Sequence, residues 1–184
     1  MVEIGDRQAP LEVDFTTPLA YGVENSSRPG GITGLFRGES WEDRQGLQML
    51  QPYDPNKIPV VFVHGLMSSP ATWLSMFNSL LADTRIRQNF QFWFFMYPTG
   101  NPIAYSASVL RESLQEARDI FDPGRNNPNF DRMVLVGHSM GGLLSKMMIM
   151  ESGEGLWNEI MGVPFDEIEL TIEQRSYVKN VLFF

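Results

Sequence analysis

The feature that most constrains the fold is a short apolar segment that ends in a glycine-rich turn with a serine at its centre. Residues 133–136 read Met-Val-Leu-Val, and residues 137–141 read Gly-His-Ser-Met-Gly, which fits the motif G-x-S-x-G. Apolar residues at helical spacing follow from Leu143 onward. The order of strand, motif and helix predicts a nucleophile elbow, a sharp turn that lifts the Ser139 hydroxyl above the edge of a sheet.

The residues beside this serine agree with the geometry that an elbow needs. The serine of such a turn has strained backbone angles, and side chains two residues before and after it would clash. Gly137 and Gly141 have no side chain and satisfy this requirement. The start of the next helix offers free N–H groups, so we assign the backbone N–H of Met140 as an oxyanion-hole donor.

Two upstream segments have the composition of buried strands. Residues 58–63 form one, and the aromatic residues 90–97 form the other, which we expect to be a central core strand instead of a ligand-binding aromatic box. Helices are predicted to begin after Ser69 and after Asn101, and the second has apolar residues three and four apart that face the sheet. This alternation predicts an α/β fold, a mostly parallel sheet with helices on both faces.

The loop after the first of these strands supplies the other half of a candidate acyl-transfer site. His64, Gly65 and Leu66 follow that strand directly. A second oxyanion donor is usually found there, so we assign the backbone N–H of Leu66 to that role, with Gly65 allowing close approach of a substrate. We expect His64 to orient the loop by hydrogen bonding in preference to acting as a base, and His138 to point away from its neighbour Ser139.

These two motifs resemble the α/β-hydrolase superfamily over roughly residues 47–153. The resemblance rests on residues 60–66, Val-Val-Phe-Val-His-Gly-Leu, and on residues 134–142, Val-Leu-Val-Gly-His-Ser-Met-Gly-Gly. With residues 97–100, Tyr-Pro-Thr-Gly, they are most similar to bacterial lipase and esterase-type members related to the GPI inositol-deacylase and triacylglycerol lipase groups. The resemblance implies a serine hydrolase of carboxylic esters, including lipid esters, with Ser139 as nucleophile and with no metal or organic cofactor.

The sequence departs from the superfamily pattern downstream of the nucleophile. Members place an acid and then a histidine after the serine, whereas His64 and His138 are the only histidines in this chain. Residues 181–184, Val-Leu-Phe-Phe, form an apolar segment at the last positions. We therefore expect a chain truncated after the elbow, with a fold that is incomplete at its carboxyl end and with the catalytic histidine and acid outside it.

These patterns divide the chain into three parts. We expect an irregular amino-terminal segment in residues 1–46, the first part of a hydrolase core in residues 47–153, and a lid or connecting segment in residues 154–184. Residues 171–174 fit a capping box at the start of a helix. The carboxylates within residues 166–169 are expected to form a solvated face instead of supplying a triad acid.

Composition excludes several other classes of function. With 14 basic and 22 acidic residues the formal net charge is −8, which disfavours nucleic-acid binding. No apolar segment reaches the ~18 residues of a membrane helix, and the amino terminus lacks a signal-peptide pattern, which leaves the localisation open.

Cysteine is absent, and no zinc-helix, phosphate-loop or dinucleotide motif occurs. An S-x-x-K match at residues 176–179 lacks its companion motifs and is interpreted as chance.

Two alternatives to ester hydrolysis stay open. A chain without its base is consistent with a non-catalytic protein that binds an acyl ligand or a partner. The same elbow and oxyanion hole also serve acyltransferases and thioesterases. An incomplete sheet leaves an unpaired strand edge, so we also expect self-association through that edge.

Overall fold

The computed structural model describes residues 2–4, 7–9 and 45–183. The strands are β1 (Val2–Ile4), β2 (Arg7–Ala9), β3 (Gly46–Met49), β4 (Ile58–Val63), β5 (Phe90–Met96) and β6 (Val134–Gly137). The α-helices are α1 (Leu74–Ala82), α2 (Thr84–Asn89), α3 (Ile103–Phe121), α4 (Pro128–Asp131), α5 (Met140–Met147), α6 (Gly155–Met161) and α7 (Ile172–Leu182). Short 3-10 helices span Pro70–Trp73 and Phe165–Glu167.

Strands β3 to β6 form one sheet in the order β3-β5-β4-β6. Strand β4 pairs in parallel with β5 and with β6, whereas β3 pairs with β5 in the antiparallel direction. The carboxyl ends of β4, β5 and β6 therefore lie at the same edge of the sheet. The predicted α/β fold with a mostly parallel sheet is confirmed, and β5 is a central strand.

The side chains of β4 and β5 alternate between two hydrophobic cores, one on each face of the sheet. One core contains Val61, Val63, Trp93 and Phe95 of the strands, and α3 and α5 pack over it. The opposite core contains Val60, Phe62, Phe92 and Phe94, and α1 and the 3-10 turn before it pack there. The aromatic side chains of residues 92–95 are at most 7% exposed, so this segment is core, as predicted.

The helix predicted after Ser69 differs in detail from the one observed. It starts as the 3-10 turn Pro70–Trp73, continues as α1, and is followed by the separate helix α2. Asp83 separates α1 from α2 because its side chain accepts hydrogen bonds from the backbone N–H groups of Arg85 and Ile86, which caps the second helix. The predicted apolar stripe of α3 faces the sheet, with buried residues at Ala107, Leu110 and Ala117.

The two flanking parts of the chain add elements outside this sheet. Strands β1 and β2 form an antiparallel pair within the segment predicted to be irregular, of which residues 10–44 lie outside the described residues. The predicted capping box is confirmed, since the N–H of Gln174 donates to Thr171 Oγ1 at 3.1 Å and the N–H of Thr171 donates to Gln174 Oε1 at 2.9 Å. Helix α7 contacts α3, where Arg111 Nη1 donates to the carbonyl of Asn180 at 2.9 Å.

Among the helices of the described ranges, none combines the length and the apolar character needed to cross a bilayer.

Candidate active site

Ser139 occupies a sharp turn between β6 and α5, at the carboxyl edge of the sheet. Its backbone has φ of 53° and ψ of −120°, a conformation that residues with a Cβ atom rarely adopt. The residue is exposed to solvent. The hydroxyl-bearing residue is therefore both strained and accessible, which is the geometry of a nucleophile elbow.

Close backbone approach explains the glycines around this serine. A Cβ atom on Gly137 would lie 2.6 Å from the carbonyl carbon of Gly141, and one on Gly141 would lie 2.5 Å from the carbonyl oxygen of His64. A Cβ atom on Gly65 would lie 3.0 Å from the Cβ of Ser139. The elbow and the loop after β4 thus touch through their backbones, and larger residues would separate them.

The two assigned oxyanion donors lie in these touching segments. Met140 is the first residue of α5, where helix geometry leaves its N–H without an intrahelical acceptor. Leu66 follows Gly65 in the loop, and the structure gives its N–H no acceptor within residues 45–183. The next residue, Met67, has a positive φ of 52°, so the loop turns sharply just after the Leu66 amide.

His64 lies beneath this loop with only 1% of its surface exposed. Its Nδ1 lies 3.1 Å from the carbonyl oxygen of Gly65, and burial lowers the pKa of the imidazole. A carbonyl accepts but cannot donate, so the proton of the neutral ring belongs on Nδ1. Its buried Nε2 has no hydrogen-bond partner among the described residues. The ring is therefore closed off from a substrate and braces the loop.

His138 is exposed and its ring meets Trp73 edge-on, with 6.3 Å between ring centroids and an interplanar angle of 88°. Its backbone N–H donates to the carbonyl of Val63 at 3.0 Å, which joins the elbow to β4. In the described part of the chain, neither histidine hydrogen-bonds to the side chain of Ser139. The structure therefore brings Ser139 next to the loop after β4, and within the described residues no histidine pairs with the Ser139 hydroxyl.

The carboxylates of residues 166–169 are not arranged as the acid of a catalytic triad. Asp166 is 89% exposed at its side chain and pairs with Arg175 of α7 at 3.4 Å. Glu167 and Glu169 are also exposed. None of the three hydrogen-bonds to a histidine within the ranges that the structure describes.

Sequence reasoning noted Tyr97 and Thr99 only within the segment 97–100 and gave them no role, yet both contact the loop after β4. Tyr97 Oη donates to the carbonyl of His64 at 2.6 Å, and the N–H of Met67 donates to Thr99 Oγ1 at 3.2 Å. A cavity of 480 Å³ lies here, lined by residues 67–69, by Thr72 and by residues 97–99. The signals in the sequence were that residues 97–100 follow the strand next to β4 and that they form part of the resemblance to lipase and esterase-type hydrolases.

No cluster of three or more potential metal ligands occurs among the residues that the structure describes.

Comparison with known proteins gives one match. The family model described as "PGAP1-like alpha/beta domain" matches residues 54–160, which is more than half of the chain and includes β4, β5, β6 and the elbow. No curated protein and no solved structure matches the chain.

Proposed function

Because the chain belongs to the PGAP1-like alpha/beta domain family, which is an α/β-hydrolase-type family, we propose that it acts as a serine hydrolase on carboxylic esters. Hydrolase activity is supported at the level of the family. The serine mechanism is our proposal, and it names Ser139 as the nucleophile of an acyl-enzyme. Lipid esters are included among the substrates because the family is of lipase and esterase type.

The observation that carries this proposal is the backbone of Ser139. A non-glycine residue with φ of 53° costs about 1–3 kcal/mol and persists only where the surroundings impose it. Here the surroundings are the glycine contacts between the elbow and the loop after β4. Such strain at an exposed serine, next to two available N–H donors, favours the role of a nucleophile over a purely structural role for Ser139.

In the proposed reaction, Ser139 Oγ attacks the carbonyl carbon of the ester while a base accepts the hydroxyl proton. The carbonyl oxygen becomes an oxyanion and accepts hydrogen bonds from the N–H groups of Leu66 and Met140. Collapse of this intermediate breaks the bond to the alcohol oxygen, which takes the proton back from the base. Water then attacks the acyl-enzyme by the same steps, releasing the acid and restoring Ser139.

We propose that this base is a histidine from outside the 184 residues, oriented by an acid that is also outside them. His64 is a poor candidate because it is buried and its Nδ1 faces the Gly65 carbonyl. His138 is a poor candidate because its ring lies against Trp73. Removing one triad member leaves residual catalysis that depends little on the others, so we expect Ser139-dependent turnover only where this histidine is present.

The test is hydrolysis of a short-chain chromogenic ester by the protein with this histidine and acid present and by its Ser139→Ala variant. We expect Ser139→Ala to abolish turnover, and the control Ser79→Ala to leave it unchanged. Ser79 is exposed on α1, and its hydroxyl bonds only to the carbonyl of Ser75. Equal turnover by the wild type and by Ser139→Ala would contradict the proposal.

One observation favours a second candidate, a non-catalytic protein that binds an acyl ligand. Ser139 has no hydrogen-bonded histidine within the described residues. Ligand binding without any Ser139-dependent turnover would support this candidate. An acyltransferase or thioesterase would share the acyl-enzyme, and it would be recognised by faster transfer to an added alcohol, or faster cleavage of a thioester, than hydrolysis of the oxygen ester.

A further inference from the structure

We infer that Tyr97 and Thr99, in the loop after β5, are positioning residues that hold the backbone N–H of Leu66 in place as an oxyanion-hole donor. This inference rests on the proposed function, because we assign the Leu66 N–H as a donor to the oxyanion formed in that acyl-transfer reaction. The two residues act through the loop that follows β4 and do not touch the reacting atoms.

Tyr97 holds the beginning of that loop. Its hydroxyl donates to the carbonyl of His64 at 2.6 Å, and both residues are at least 95% buried. Burial also raises the pKa of Tyr97 to about 12, so the phenol keeps its proton and stays a donor at neutral pH. The two rings stack with 4.4 Å between centroids and an interplanar angle of 20°. Tyr97 thus holds His64 at two points, its backbone carbonyl by the hydrogen bond and its ring by stacking.

The His64 ring in turn fixes the peptide group that carries the Leu66 N–H. Its Nδ1 lies 3.1 Å from the carbonyl oxygen of Gly65. In a planar trans peptide, the carbonyl of Gly65 and the N–H of Leu66 point in opposite directions. A hydrogen bond that holds the Gly65 oxygen on the buried side therefore directs the Leu66 N–H away from the core.

Thr99 holds the end of the loop. Its Oγ1 accepts the N–H of Met67 at 3.2 Å, so the amide after Leu66 is already engaged. The carbonyl of His64, the carbonyl of Gly65 and the N–H of Met67 all have partners, and the N–H of Leu66 between them has none within residues 45–183. Donors that are fixed before the reaction need no reorganisation when charge develops, which is the source of oxyanion-hole catalysis.

Amide hydrogen exchange tests whether the two side chains hold the loop, independently of turnover. In Tyr97→Phe and in Thr99→Val we expect exchange at Met67 to accelerate about tenfold or more, because local opening becomes easier. Thr99→Ser keeps the acceptor oxygen and should restore slow exchange. The control is Tyr53→Phe. This variant also removes a hydrogen-bonded tyrosine hydroxyl, which accepts from Asn127 Nδ2 at 2.8 Å, but this hydroxyl lies at the opposite edge of the sheet. Unchanged exchange in both Tyr97→Phe and Thr99→Val would overturn the inference.

Steady-state kinetics tests the consequence for catalysis. Loss of a positioned oxyanion donor acts on the transition state, so we expect kcat to fall about tenfold or more in Tyr97→Phe, with KM within about twofold. Thr99→Ser and Tyr53→Phe should keep the wild-type kcat. A loop that exchanges faster in Tyr97→Phe while kcat stays unchanged would also overturn the inference. A wild-type protein that shows no Ser139-dependent turnover with the proposed histidine and acid present would contradict the proposed function instead, and the exchange data would still decide whether the two side chains hold the loop.

Discussion

Gly141 and Val63 are in direct backbone contact: a Cβ atom on Gly141 would overlap the carbonyl oxygen of Val63. This contact joins α5, the helix after Ser139, to β4, the strand before the loop that contains Leu66. The distance between the Ser139 turn and the end of β4 is therefore set by contact between backbone atoms.

Two neighbouring glycines provide a matched test of this contact. We expect Gly141→Ala to lower the free energy of unfolding by about 2 kcal/mol or more, because the added methyl group has no space beside Val63. Gly142→Ala should be neutral or stabilising by up to about 1 kcal/mol, because its Cβ would lie 3.7 Å from the carbonyl oxygen of Gly137, an ordinary van der Waals distance, and alanine favours the helix. Denaturant unfolding measures both. Equal stability of the two variants would contradict the contact.

The strain at Ser139 predicts a gain in stability when it is released. Ser139→Gly and Ser139→Ala both lack the hydroxyl, but only glycine tolerates φ of 53° without a steric penalty. We expect the glycine variant to unfold with a free energy about 1 kcal/mol higher than that of the alanine variant. Thermal or denaturant unfolding of the pair gives the difference directly. A more stable alanine variant would mean that the backbone of Ser139 is relaxed.

The buried His64 predicts a pH-dependent stability. Burial lowers its pKa from the ordinary value of 6.5, so between the two values the unfolded chain binds more protons than the folded one. The free energy of unfolding should therefore fall as the pH is lowered from about 6.5 towards the folded-state pKa. We expect His64→Gln to flatten this slope and His138→Gln to keep it. Identical slopes in the wild type and in His64→Gln would show that His64 does not cause the effect.

The outer edge of β6 predicts self-association. In the part of the chain that the structure describes, β6 is an edge strand paired only with β4, and its Val134 is 42% exposed. We expect Val134→Lys to shift the chain towards monomer in sedimentation velocity, because a charge on an edge strand opposes edge-to-edge pairing. Ile149→Lys changes a residue that is 82% exposed outside any strand, and it should have little effect. Equal association of both variants with the wild type would argue against pairing through this edge.

Local patterns predicted most of the sheet, and non-local contacts account for what they missed. The strands β4 and β5 and the apolar stripe of α3 follow from short-range periodicity, and the capping box at Thr171 from four consecutive residues. The division at Asp83 was not predicted, because the apolar spacing of residues 73–81 indicates a helix without fixing its end, and α2 begins where the Asp83 side chain caps it.

The elbow was predictable for the same reason, since its residues are consecutive in the chain. The bond from Tyr97 to His64 was not, because it depends on the parallel pairing of β4 with β5. In that register Val63 lies opposite Phe95, which places the residues just beyond both strands side by side. Strand order depends on which apolar faces pack against each other. These contacts join residues that are far apart in the sequence, so short-range patterns do not predict them.

The strand order also has a consequence for how the chain folds. Ile58 of β4 pairs with Phe90 of β5, whereas Val60 of β4 pairs with Val134 of β6, which is more than twice as far along the chain. Each doubling of an enclosed loop adds about 0.6 kcal/mol of closure entropy. We therefore expect β4 and β5 to associate early and β6 to dock onto them afterwards. The turn at Ser139 would then form late, after β4 and β5 have paired. Strands that are already packed can hold this turn in its strained conformation.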